Sequence, residues 1–230
     1  MKVLKLALCA ATASLFMAGA AAAQDAPKVT FNIGATSDYV FRGVSQTDEG
    51  PAVQGGVDVS GGILYGGLWA SNVDFYDSTD AEIDAYVGIK PTAGAVTFDL
   101  AAIYYGYVNA PSSSDYAFWE FKAAASAPAG PFTLGAAAYY SPEFFGGVGS
   151  SLYYEANAAV SPADKWTITA AVGKQTINDF SALDYTTYNI GVGYAFTDKI
   201  SGDLRFHDSD LGCGSICDSR VTVSLKATLP

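Results

Sequence analysis

Residues 82–90 read Glu-Ile-Asp-Ala-Tyr-Val-Gly-Ile-Lys. Ile83, Ala85, Val87 and Ile89 fall together at period two, and Glu82, Asp84, Tyr86, Gly88 and Lys90 fall opposite them. A helix would smear these charges around its surface, whereas a strand separates the two sets onto two faces. The same alternation recurs over 29–41, 52–60, 63–74, 81–90, 95–107, 116–126, 132–140, 151–160, 166–175, 185–196, 199–207 and 220–229. Both faces of 63–74 are apolar, so its facing is ambiguous.

The connections alternate in length. Short turns at 60–62, 91–94, 127–131, 161–165 and 197–198 are interleaved with longer segments at 42–51, 75–80, 108–115, 141–150, 176–184 and 208–219. Outer-membrane barrels have short periplasmic turns, longer external loops and an even strand number. The pattern therefore predicts an all-β fold, a transmembrane antiparallel up-and-down β-barrel of about 12 strands. A soluble β-sandwich also alternates, but it buries its aromatics mid-strand and has no reason to sort its loops by length.

Aromatic positions on the apolar faces form two belts. Phe31, Phe98, Phe132, Trp166 and Phe196 map to the short-turn end, and Tyr39, Tyr104, Trp119, Tyr140, Tyr154 and Tyr188 to the long-loop end. Such rings favour the headgroup level of a bilayer. The opposite faces carry Asp58, Glu82, Asp84, Lys90, Asp99, Glu120, Lys122, Glu155, Asp203, Arg205 and Lys226, which are expected to face the lumen. They make either a charged, wet channel or a set of ion pairs bracing the wall.

Composition supports lipid over water. Half the chain is hydrophobic and only 15% is charged, yet beyond the N-terminus no apolar run is long enough for a spanning helix. At that terminus, Lys2 and Lys5 precede an apolar stretch over 6–18 and the small-residue site Ala21-Ala22-Ala23. This reads as a signal peptide over 1–23, with the barrel domain over 24–230, rather than as a membrane anchor. A lipoprotein reading of Cys9 fails, because Leu8 stands where a small residue is wanted. Removing two lysines and no acid takes the formal net charge from −11 to −13, which argues against nucleic acid as a partner. In an exported chain, Cys213 and Cys217 are expected to pair as a disulfide. A metal site with His207, Asp208 and Asp210 is the sharper alternative.

Residues 37–47, Ser-Asp-Tyr-Val-Phe-Arg-Gly-Val-Ser-Gln-Thr, resemble the opening block of the TorF family of proposed porins, also known as the Gcw_chp conserved bacterial outer-membrane β-barrel proteins. Pro51 to Gly56, Gly67 to Phe75, Glu82-Ile83-Asp84 with Tyr86, and Tyr104 to Tyr107 resemble later blocks, and the resemblance spans roughly 29–230. It implies the bacterial cell outer membrane and a pore, and no particular substrate. Strands of this class usually end on an aromatic residue read by the assembly machinery, whereas this chain ends Leu229-Pro230.

Chemistry is sparse. His207 and Ser209, with Asp208 between them, resemble the catalytic pair of an outer-membrane lipid hydrolase, but alternation turns His207 away from lipid. The loop 42–50, with Arg42, Asp48 and Glu49, lacks the acid and histidine set of an omptin-type protease. The expectation is therefore a non-enzymatic barrel, without cofactor or metal, passing small solutes or ions with a lean toward cations. Its partners would be outer-membrane lipid, the assembly machinery and the permeating solutes. The alternative is a closed structural or adhesive barrel acting through its external loops, with Tyr86, Phe118 and Tyr153 filling the lumen.

Overall fold

A computed structural model describes residues 26–230; the expected signal peptide and Cys9 lie outside the described residues. Twelve long strands form the wall: β1 (Lys28–Thr36), β2 (Ala52–Gly61), β3 (Leu64–Asn72), β4 (Ala81–Ile89), β5 (Val96–Val108), β6 (Phe118–Ala129), β7 (Phe132–Ser141), β8 (Ser151–Ala163), β9 (Trp166–Ile177), β10 (Tyr185–Ala195), β11 (Ile200–Ser209) and β12 (Arg220–Leu229). A short piece, Thr92–Ala93, extends the hairpin before β5. Each strand pairs antiparallel with its neighbours in sequence. β1 closes the ring against β12, with Phe31 opposite Leu229 and Thr36 opposite Ser224. No wall strand keeps a free edge, the condition for placing backbone amides in hydrocarbon.

Alternation decides which way each side chain points. Ile33, Leu68, Ile190, Leu204 and Val223 are all more than half exposed. Their sequence neighbours Asn32, Trp69, Asn189, Asp203 and Thr222 turn inward and are better covered. That exposed apolar surface covers the whole ring, and water would not tolerate it on a monomer. β3, ambiguous in sequence, is fixed by register. Trp69 pairs with Asp84 and Gly67 with Tyr86, so Tyr65, Gly67, Trp69 and Ser71 face inward and Leu64, Gly66, Leu68 and Ala70 face outward.

Phe31, Phe98, Phe132 and Trp166 stand exposed at the short-turn rim, with Phe196 just beyond the end of β10. Trp119, Tyr140, Tyr154 and Tyr188 stand exposed toward the other rim, and Tyr104 lies partly under Trp119, its ring centroid 5.1 Å away. Tyr39 does not belong to this belt. It is 3% exposed, because β1 ends at Thr36 rather than running on to residue 41. The backbone leaves the wall at Ser37, whose amide still donates to the Val223 carbonyl, and then turns into the barrel.

This facing predicts an asymmetry between neighbouring wall positions. Ile190→Arg puts a guanidinium on the lipid face near mid-strand, at a cost of ~2–4 kcal/mol. Ser224→Arg puts one inside, directly across from Asp203. In vesicle-refolding assays, I190R should lower the folded fraction strongly and S224R little. Equal losses would mean that the faces are reversed or that the wall is not in lipid.

Candidate functional site: a plugged, charged lumen

The segment after β1 folds into the lumen as a small hairpin. Val40–Phe41 pairs with Val44–Ser45, and the turn between them puts Arg42 at φ 43° and Gly43 at φ 80°. Gly43 is needed there on two counts. Its φ suits glycine, and a Cβ would sit 2.8 Å from the Ser209 Cβ on β11. Val40, Phe41 and Val44 are buried, so the apolar residues that look like a strand end in sequence form the body of a plug.

Arg42 joins the plug to the wall. Its guanidinium donates to both Glu120 oxygens on β6, at 2.8 and 2.9 Å, and to Gln175 Oε1 on β9 at 2.9 Å. It also lies 4.1 Å from the centroid of the Tyr153 ring. Its side chain is 5% exposed and that of Glu120 is 0% exposed. Burial works against the charge of Arg42, but Glu120 more than offsets this and its pKa is raised above the ordinary value. Tyr39 fixes a second point by donating to Glu82 Oε1 at 2.9 Å. At the root, Asp38 accepts from Ser45, Thr47 and Arg220, the last at 2.7 Å. Arg220 in turn donates to the carbonyl of Ser215. The last loop is closed by a disulfide between Cys213 and Cys217.

An aromatic roof covers part of the same end. Phe75 from loop 73–80, Tyr107 from β5, Tyr116 from loop 109–117 and Phe145 from loop 142–150 pack edge to face or stacked, with Tyr116 and Phe145 centroids 4.3 Å apart. Tyr116 donates to Asp77 at 2.8 Å. Burial would raise the pKa of Asp77, but bonds from Thr79 and Tyr116 hold it below the usual carboxylate value.

Below the plug, the inward side chains lie along the wall. A Cβ on Gly67, Gly88 or Gly173 would overlap the side chain of Tyr86, Tyr65 or Tyr153, and one on Gly191 would overlap the Arg205 guanidinium. Small residues on one strand thus let large ones on the next lie flat. Tyr86 therefore lines the lumen instead of filling it, a correction to the sequence expectation, whereas Tyr153, 4% exposed, packs against Arg42 of the plug. Phe118 belongs to the upper cluster, stacked 4.4 Å from Tyr105.

The expected lumen charges divide into two groups. Asp99 is held by Lys122 at 2.7 Å, Lys90 at 3.7 Å and the Tyr65 hydroxyl. Asp203 is held by Arg205, which also reaches Asn189 and Thr169. Glu120 belongs to Arg42. By contrast, among the described residues Asp58 accepts only from Asn32 and the Tyr86 hydroxyl, and Glu155 only from Tyr153 and Asn157. Glu82 and Asp84 are 0% and 2% exposed with one orphan oxygen each, and among the described residues no base forms an ion pair with them. Lys226 shares the inward face of β12 with Thr222 and Ser224 and is exposed near the short-turn end. Sequence reasoning missed Arg42, Arg220 and Asp38 as lumen groups. The available signal was an Arg42-Gly43 pair set between apolar Phe41 and Val44 in a supposedly external loop.

His207 and Ser209 both turn inward and take separate partners. His207 Nε2 pairs with Thr222 Oγ1 at 3.2 Å, and Ser209 Oγ donates to the Cys217 carbonyl at 3.4 Å. The two share no hydrogen bond, and neither reaches the lipid face where a lipid hydrolase would act. Among the described residues, no cluster of three or more His, Cys, Asp or Glu side chains could hold a metal ion.

A closed antiparallel barrel that is apolar outside and charged within defines a transmembrane β-barrel of the outer-membrane class. The chain belongs to the Gcw_chp family, described as a bacterial protein of unknown function, which it matches over residues 20–228. No curated protein matches it. Among solved structures it is similar to the KdgM porin, with a TM-score of 0.62 at 6% identity over 86% of this chain and 98% of that one. A second KdgM structure, in complex with disordered oligogalacturonate, gives 0.60 at 5% identity over 88% and 98%. The NanC porin gives 0.57 at 11% identity over 88% and 100%. At such identities the likeness is one of fold.

The buried ion pair carries a direct prediction. Arg42→Ala strands Glu120, and Glu120→Ala strands Arg42; each single change should cost ~3–5 kcal/mol. Because the two act through one interaction, the double variant should cost clearly less than both singles together. Denaturant unfolding in lipid vesicles measures this, and simple additivity would show that the pair does not hold the plug.

Proposed function

We propose that this chain is a narrow pore of the bacterial outer membrane, inserted by the assembly machinery and passing small solutes or ions with a preference for cations. The observation that carries this reading is the lumen wall below the plug, where large side chains lie flat over glycines. That wall presents Asp58 and Glu155 without a basic partner. Carboxylates facing a pore favour cations, and a low-dielectric wall strengthens their field. Oligogalacturonate is a polyanion, so it is a poor guide to the solute here despite the fold shared with KdgM. The resemblance to the TorF porins agrees with a pore and leaves its solute open.

The second reading is a closed barrel that acts through its loops. It is favoured by the plug and roof, which together occupy the long-loop half of the lumen.

Planar-bilayer recording separates the two. The pore reading expects discrete conductance, with a reversal potential in a salt gradient that favours cations, most clearly at low salt, where the screening length exceeds about 10 Å. D58N/E155Q should weaken the preference. D99N should change it less, because Lys122 and Lys90 already offset that charge. Anion preference would overturn the cation assignment, and absence of conductance would leave the closed barrel.

A further inference from the structure

We propose that the disulfide-closed loop before β12 is a redox-sensitive latch on the plug. Closed, the loop holds the hairpin against β11 and β12; opened by a dithiol, it releases that side. Only its effect on a current rests on the pore reading above. Arg220, at the start of β12, links loop to plug. It donates to Asp38 at the plug root, at 2.7 Å, and lies 4.0 Å from Glu49 just past the hairpin. The loop aims it, because the carbonyls of Ser215 and Asp218 accept its other donors. Ser215 sits between the two bonded cysteines. Ser209 makes a second link: its hydroxyl donates to the Cys217 carbonyl, and Gly43 at the hairpin tip packs on its Cβ. Val44–Ser45 also runs beside Ser215–Cys217, and Cys217 lies in the same buried cluster as Phe41 and Val44.

Little but the disulfide gives this loop its shape. The amides of Cys213, Cys217 and Asp218 donate to Leu211, Gly214 and Ser215, so these backbone bonds stay inside the loop. Gly212 and Gly214 add freedom, and one three-residue 3₁₀ turn, Ser215–Cys217, does not stand by itself. Opening the ring is ordinary thiol–disulfide exchange. Cys217 is 2% exposed and Cys213 half-buried, so a reagent thiolate attacks the Cys213 sulfur. A bond forms there, the bond to Cys217 breaks, and Cys217 leaves as thiolate. The reagent's second thiol then displaces Cys213 and closes the reagent into a cyclic disulfide. Two electrons pass from the dithiol to the cysteines, and its two thiol protons end on them. The Ser215 carbonyl then no longer aims Arg220. The bonds from Arg42 to Glu120 and from Tyr39 to Glu82 remain, so the hairpin loosens on one side and stays in the barrel.

The test is hydrogen exchange of the whole protein in lipid vesicles, read over segment 38–47 before and after treatment with dithiothreitol. Two amides report there: Tyr39 donates to Thr47 Oγ1 and Gln46 to the Tyr39 carbonyl. Reduction should speed their exchange about tenfold or more while the wall strands stay protected, and reoxidation should restore it. The folded protein is reduced directly, so the result does not depend on a cysteine variant folding. R220A should quicken the same segment with the disulfide intact. The proposal is overturned if segment 38–47 is unchanged once both cysteines label as free thiols. It is overturned equally if the whole wall speeds up to the same degree, or if R220A is as protected as the parent. The readout needs no current. If the barrel conducts, reduction should also raise its conductance; a loosened hairpin in a barrel that never conducts counts against the pore and not against the latch.

Discussion

Hydrocarbon offers no hydrogen bonds, and every feature of the wall follows from that. An unpaired amide or carbonyl in lipid costs several kcal/mol, so the strands must close, and β1 must find β12 although almost the whole chain separates them. Closure fixes period two around the ring and leaves one face for lipid and one for the interior. The lipid face accepts almost any apolar residue, which is why Ala, Val, Ile and Leu recur there with little pattern beyond alternation. The interior face is where identity matters, because each polar group must find either a partner or water.

Arg42 is the interior counterpart of that rule. A guanidinium this deeply enclosed is tolerable only if its charge and donors are met, and the Glu120 fork with Gln175 meets them. Glu120 is equally dependent on Arg42. Seating the pair removes water from both, so the plug is held by the penalty for leaving as much as by attraction. The second anchor, from Tyr39 to Glu82, and the third, from Asp38 to Arg220, lie on other strands. The hairpin is thus braced across the barrel rather than hung from one side.

The wall was legible in the sequence because it obeys one local rule, with each residue's facing set by its neighbours' parity. β4 could be read from nine residues alone. The plug was not legible, for the same reason. Tyr39 and Phe41 continue the parity of Phe31, Ile33 and Ala35, so nothing local marks the point where the chain leaves the sheet. What ends β1 is the tertiary need of Arg42 for Glu120, 78 residues away in sequence. The individual ion pairs were equally hidden. Alternation places Asp99 and Lys122 on inner faces, but only the register of β5 against β6 brings them together. The flat-lying tyrosines needed the same knowledge, since Gly67 explains Tyr86 only once β3 and β4 are aligned.

These constraints also decide how a pore of this shape would conduct. Withdrawing the hairpin would expose Tyr39, Val40, Phe41 and Val44 to water, at roughly 1.5–3 kcal/mol for each buried apolar side chain. It would also strand the Glu120 charge, adding a few kcal/mol more. The sum is large against thermal energy, so the plug does not leave spontaneously. A solute crossing the barrel would therefore pass beside the hairpin. Beyond it, the free width is set by how closely Tyr86, Tyr65 and Arg205 lie against Gly67, Gly88 and Gly191. A Cβ at any of these glycines would push its partner inward. On this argument the glycines of the wall, rather than the residues of the hairpin, would set the cross-section of any conducting path.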